Sequence, residues 1–98
     1  MCWAIAFAVT VDTASALNEA ASGKVLAEKW CSSCHLVSQD QTHASAKAPP
    51  FGSIAKRPDE ELNRLSFFLL DPHPLMPNFN LTRNEITDLV AYIRSLKQ

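Results

Sequence analysis

Two cysteines separated by two residues, with a histidine directly behind the second, read Cys31-Ser32-Ser33-Cys34-His35. This stretch restricts the fold more than any other, because two thiols and an imidazole so close together serve only a few chemistries. A disulfide between Cys31 and Cys34 would close a very small loop and stabilise little, since the benefit grows with loop length. A thioredoxin-like redox pair follows a strand, whereas the residues before Cys31 have helical spacing. A zinc site needs four ligands, and beyond Cys31, Cys34 and His35 only His43 and His73 remain, at irregular spacing.

The fourth chemistry is covalent attachment of a c-type haem, for which Cys-x-x-Cys-His is the signature. Two thiols three positions apart, at the end of a helical turn, can each add to one vinyl group of a porphyrin. His35 can then offer an imidazole nitrogen to the iron from the same side. Haem attachment also answers a problem of size: 98 residues make at most one small domain, whose core gains from a large bound group to pack against.

Iron held by one histidine has a second open face. Met76, in His-Pro-Leu-Met-Pro-Asn-Phe and 41 residues after His35, is the sole methionine beyond Met1. A thioether ligand there would favour ferrous iron and raise the reduction potential. His73, between two prolines, is the rival and would give bis-histidine iron of lower potential. Core packing is the alternative role for Met76, and solvent exposure in a polar loop is expected of His43.

Residues 1–16, MCWAIAFAVTVDTASA, run apolar from Cys2 to Val11 and end in Ala14-Ser15-Ala16, a small-x-small pattern of the kind signal peptidase cuts after. They read as the rear half of a secretory signal, without the basic stretch that opens one, and leave residues 17–98 as the domain. A core strand over residues 2–11 is the competing reading, though its alternation is poor. The apolar run is too short to span a bilayer, where about 20 residues are needed. Cleavage after Ala16 would remove Cys2 and Asp12, leaving nine acids against nine lysines and arginines. A domain without net side-chain charge is not built for nucleic acid or for strong binding to an anionic membrane, both of which need a basic excess. Export places the Cys31/Cys34 pair in an oxidising compartment, so the expected location is periplasmic.

Three segments have helical periodicity. The first spans about Asn18 to Trp30, with Gly23, Leu26, Ala27 and Trp30 on one face. The second spans about Pro58 to Leu70: Pro58 suits a helix start, Asp59, Glu60 and Glu61 complement the dipole, and Leu62, Leu65 and Leu69 form the apolar face. Asp71-Pro72 ends it. The third opens with the capping box Thr82-Arg83-Asn84-Glu85 and carries a stripe of Ile86, Leu89, Val90, Ile93 and Leu96. Irregular segments at about 36–54 and 71–81 connect them, with no convincing strand. Loops this long in so small a domain make sense if they wrap something.

These residues together resemble the small class I cytochromes c of bacteria. GKVLAEKWCSSCH is similar to that family's N-terminal helix and haem motif, APPFGSIA to the loop supporting the proximal histidine, HPLMPNF to the methionine loop, and LTRNEITDLVAYIRSL to the C-terminal helix. The resemblance implies an all-α cytochrome c fold, with about three main helices and long loops around one covalent haem c. It implies thioethers at Cys31 and Cys34, His35 and Met76 as the proximal and distal ligands, and a backbone carbonyl near Pro49 accepting the other ring N–H of His35. It places Gly23, Leu89 and Tyr92 where the first and last helices cross. Ala27 stands where the family commonly has an aromatic residue, and Trp30 is expected to supply that bulk.

The expected function is single-electron transfer between exported redox partners, with a dehydrogenase or cytochrome complex as donor and an oxidase or reductase as acceptor, and no substrate chemistry. Leu75, Pro77 and Phe79 are candidates for docking near the haem edge or for packing on the haem itself. The alternatives are a haem enzyme or gas sensor with an open sixth site, and a cytochrome subunit permanently bound in a larger dehydrogenase or oxidase.

Overall fold

The computed structural model describes residues 4–6, 13–45, 48–72 and 76–97. Most of the apolar N-terminal run lies outside these ranges, as do His73 and Leu75. The described residues form five helices and no strands: α1 (Thr13–Trp30), α2 (Phe51–Ala55), α3 (Asp59–Leu62), α4 (Leu65–Leu70) and α5 (Arg83–Ser95). The all-α expectation holds, with α1 and α5 as the long pair whose crossing dominates the packing.

α5 forms as its sequence predicts. The Thr82 hydroxyl accepts the Glu85 amide hydrogen at 3.1 Å, and the Glu85 carboxylate accepts that of Thr82 at 2.9 Å, satisfying two amides that the helix start would leave unpaired. Ile86, Leu89 and Ile93 are buried as expected. Tyr92 joins them, whereas Val90 and Leu96 are only half-buried.

α1 starts at Thr13, earlier than the apolar spacing indicates, and runs through the Ala14-Ser15-Ala16 triplet. Its contact with α5 depends on Gly23. A Cβ at this position would lie 1.9 Å from the Asp88 carbonyl oxygen and 2.8 Å from Tyr92 Cβ. Glycine inside a helix costs about 1 kcal/mol relative to alanine, and here it permits a close backbone approach that no side chain allows. Ala27 is fully buried at the same contact. Trp30 does not supply bulk there: it is 37% exposed and leaves the face shared by Gly23 and Ala27.

Two sequence expectations need correction. The segment read as irregular up to Ile54 contains α2, which begins right after Pro49-Pro50. The Pro50 carbonyl accepts the Ser53 and Ile54 amide hydrogens at 3.0 and 3.2 Å. Five residues are too few for periodicity to stand out, although Phe51, Ile54 and Ala55 do bury one face. The single helix expected over 58–70 is broken at Asn63-Arg64, where the Arg64 amide bonds back to Glu61 rather than to Glu60. The tightened turn lets fully buried Leu62 point into the core while Leu65 and Leu69 pack only partly against it. Asn63 also accepts a hydrogen bond from Arg94 of α5 at 2.7 Å, tying the break to the last helix.

Candidate functional site

The Cys-x-x-Cys-His stretch continues the last turn of α1. The Cys31 amide bonds to the Ala27 carbonyl at 2.9 Å, and those of Cys34 and His35 bond to the Cys31 carbonyl at 3.2 and 2.9 Å. A helix therefore leads into the motif, as the spacing predicts and as a thioredoxin-like pair does not require. Both thiols are free, Cys31 buried and Cys34 exposed. Burial, and secondarily the charge of Cys34, pushes the Cys31 thiol up to about 11. Such a thiol is protonated at neutral pH, which does not suit thiol–disulfide exchange, where the thiolate is the nucleophile. Among the described residues no group of three or more histidine, cysteine, aspartate or glutamate side chains is placed to hold a metal ion.

His35 is buried, and its Nδ1 lies 2.7 Å from the Pro49 carbonyl oxygen. A carbonyl can only accept, so Nδ1 carries a proton, and in the neutral ring Nε2 is the nitrogen with the free lone pair. The ring also packs at 5.2 Å, tilted by 51°, against Phe51 at the start of α2. Imidazole tautomer and ring position are thus set by two neighbours, Pro49 and Phe51, from the segment that precedes and opens α2. The carbonyl expected near Pro49 is that of Pro49 itself.

Two adjoining cavities, of about 320 and 340 Å³, open beside this turn, and Cys31, His35, Pro49 and Met76 line both. Trp30, Cys34 and Phe79 complete much of the first, while Ile54, Leu65, Leu69 and Leu89 give the second an apolar wall. Met76 is half-buried and is brought to the same space as His35, across the 41 residues that separate them in the sequence. Beyond it, Asn78 accepts the Asn80 amide hydrogen at 2.9 Å, and Asn80 adopts φ 53°, a left-handed value that asparagine tolerates. This bend accompanies the packing of Phe79 on Trp30, with ring centroids 5.3 Å apart. Phe79 therefore belongs to the cavity wall rather than to a free surface, and Pro77 is exposed. His43 is exposed, as expected.

The matched part of the chain now has a family. The profile of the family described as cytochrome c covers residues 20–97. Cytochrome c-552 of Bradyrhizobium diazoefficiens is 50% identical over 94 residues, which is 95% of this chain and 90% of that protein. The chain belongs to the cytochrome c family. No solved structure gives a significant match.

The cofactor of the cytochrome c family is covalently attached haem c, and Cys31, Cys34 and His35 fit its attachment motif. The rest of the cavity fits it as well. A flat, largely apolar group would find two cavities that His35 borders, an apolar wall in the second, an imidazole whose neutral form keeps the Nε2 lone pair free, and a thioether bordering the same space. Arg57 and Arg64 stand at the wall of the second cavity, where guanidinium groups suit the two carboxylates that a haem carries.

Sequence reading passed over four residues of this site. Phe51 escaped notice because α2 is so short, yet its i, i+3, i+4 relation to Ile54 and Ala55 was the available signal. Arg57 and Arg64 carry no local pattern. Gln41 makes backbone hydrogen bonds around the attachment turn, for which sequence has no signature.

Proposed function

We propose that this cytochrome is an exported, periplasmic electron carrier whose one haem c is bound through thioethers to Cys31 and Cys34 and ligated by His35 and Met76. The observation that carries the reading is the 2.7 Å contact between His35 Nδ1 and the Pro49 carbonyl, since it selects the neutral tautomer whose Nε2 lone pair is free, on a residue that lines the same cavity as Met76. The haem supplies reversible one-electron chemistry. What the chain contributes is position and environment. Pro49 fixes the His35 tautomer and raises the basicity of the ring. Met76 supplies a soft neutral donor that favours the ferrous state and a high potential. The apolar walls formed by Ile54, Leu65, Leu69 and Leu89 limit water near the metal, and Arg57 and Arg64 offset negative charge at the edge. Were His35 and Met76 both to hold the iron, oxygen or peroxide would find no open site, and no substrate bond would be made or broken.

Removing the thioether tests this directly. A Met76→Ala holoprotein should lose well over about 60 mV of reduction potential, more than tenfold in the equilibrium constant of a one-electron couple. An unchanged potential would mean that Met76 is not on the iron and would favour the open-site enzyme or sensor.

A second reading, that the cytochrome is a fixed subunit of a larger redox complex, draws support from α4. Phe67 and Leu70 are 73% and 55% exposed, and Phe68, also exposed, lines the second cavity. Exposed apolar side chains this close to the redox centre suit a partner surface. Among the described residues no helix is long and apolar enough to cross a membrane. Co-purification of a tagged chain under mild extraction separates the two: the free carrier elutes alone, the subunit with its complex.

A further inference from the structure

The loop between the attachment turn and Pro49 contains one side chain bound entirely to backbone. Gln41 Oε1 accepts the Val37 amide hydrogen at 3.0 Å. Its Nε2 lies 2.6 Å from the Ser32 carbonyl oxygen, 2.8 Å from that of His35 and 2.9 Å from that of His43. Two amide hydrogens serve three carbonyls, so one of them is shared. The orientation of the amide group is unambiguous, because flipping it would set an N–H donor against the Val37 N–H and an oxygen against three carbonyl oxygens.

Ser32 lies inside the Cys-x-x-Cys-His turn and His35 ends it, so this amide spans the backbone from which the thiols and the imidazole project. His35 is then held at two places. Its ring is held by Pro49, at the far end of the loop, and its carbonyl by Gln41, in the near half. The base of the loop is closed by the Phe51 amide on the Leu36 carbonyl at 2.9 Å. On its other side the Tyr92 hydroxyl donates to the Val37 carbonyl. Gln41 is thus the link between the loop and the attachment turn, and Tyr92 the link between the same loop and α5.

We infer that Gln41 is a positioning residue for the cofactor: by holding the Ser32 and His35 carbonyls it fixes the plane of the His35 imidazole and preserves the hydrogen bond from His35 to Pro49. The inference rests on His35 being an iron ligand. Loss of Gln41 leaves four backbone groups to find new partners. The turn then rotates at its carbonyl end, and the ring swings relative to Pro49.

The test uses the ferric and ferrous holoprotein with Gln41→Leu, which keeps the bulk and removes every hydrogen bond. Gln41→Glu, which keeps the acceptor for Val37 but cannot donate when ionised, is the second variant, and Tyr92→Phe, which loosens the same loop from the helix side, is the control. The readouts are the ferric haem-methyl NMR shifts, which follow the plane of the axial imidazole, and exchange of the His35 Nδ1 hydrogen. Both Gln41 variants should change the methyl-shift pattern and speed Nδ1 exchange by about tenfold, the scale of one lost hydrogen bond. Tyr92→Phe should lower the melting temperature and leave both readouts as in the parent. Parent-like shifts in either Gln41 variant, or equal changes in Tyr92→Phe, would overturn the inference, as would failure of both Gln41 variants to retain haem, which would make the role one of folding alone. If the unaltered holoprotein shows no low-spin, histidine-ligated iron, the ligation reading itself falls and takes the inference with it.

Discussion

His35 shows how a single residue carries information at two ranges. Its place directly after Cys34 is legible in the sequence, because haem attachment demands thiols and imidazole at fixed local spacing. Its pairing with Pro49 follows from the family resemblance. Its support from Gln41 follows from nothing in the sequence, because the partners are backbone carbonyls that any residue could supply. Tyr92 is a similar case: it stands where a helix crossing was expected, but its hydroxyl reaches Val37, 55 residues away. Burial first, and then the charges of Glu28 and Asp40, raise its pKa above the ordinary 10.0. The fold therefore favours the neutral phenol, and this contribution is complete below the unfolded value and fades as pH rises through the raised folded value. Tyr92→Phe should cost about 1–2 kcal/mol near neutrality, since the buried Val37 carbonyl loses its donor. In melting curves taken from pH 7 to 11, the advantage of tyrosine over phenylalanine should shrink only above about pH 10; an advantage that shrinks already near pH 8 would contradict the assignment.

At the level of elements, α5 was readable to the residue at its start because a capping box is a local code. Replacing Thr82 by alanine should cost about 1 kcal/mol in chemical denaturation. The crossing of α1 and α5 is decided instead by one missing side chain. Alanine at position 23 would raise helix propensity yet force the Asp88 backbone away. Overpacking of about 1–3 kcal/mol should outweigh a propensity gain of about 1 kcal/mol, so Gly23→Ala should melt several degrees lower. A higher melting temperature would show that the helices can separate freely. The break between α3 and α4 could not be read from the leucine spacing. Leu62, Leu65 and Leu69 suit one continuous stripe, but Leu62 is drawn into the core and the other two towards the cavity. Trp30 was misassigned for a related reason. Helical spacing placed it with Gly23 and Ala27, whereas the cavity and Phe79 draw it outward.

The whole molecule is a small core built around a space that a prosthetic group completes. Ala27, Cys31, Val37, Phe51, Ile54, Ala55, Leu62, Leu89, Tyr92 and Ile93 form one buried cluster, and several of these residues also border the two cavities. A domain of this size has little stability to spare, and leaving cavities this large empty is costly. The chain produced in cells that cannot attach haem should therefore lack a cooperative melting transition by circular dichroism, while the holoprotein shows one. Long loops were expected to wrap something, and the cavity they border is that space. The balance of charge in residues 17–98 also belongs to this scale: electron transfer to partners should fall only weakly as salt is raised, because strong steering requires a charge excess. A steep salt dependence in stopped-flow mixing would locate a charged docking patch instead.

The visible absorption spectrum of the holoprotein, oxidised and reduced, tests the central claim most directly. Ligation by His35 and Met76 predicts a sharp alpha band on reduction and, in the ferric protein, the weak long-wavelength band of iron bound to a thioether. A high-spin ferric spectrum that shifts on adding cyanide, with carbon monoxide binding after reduction, would show an open iron and contradict the electron-carrier account.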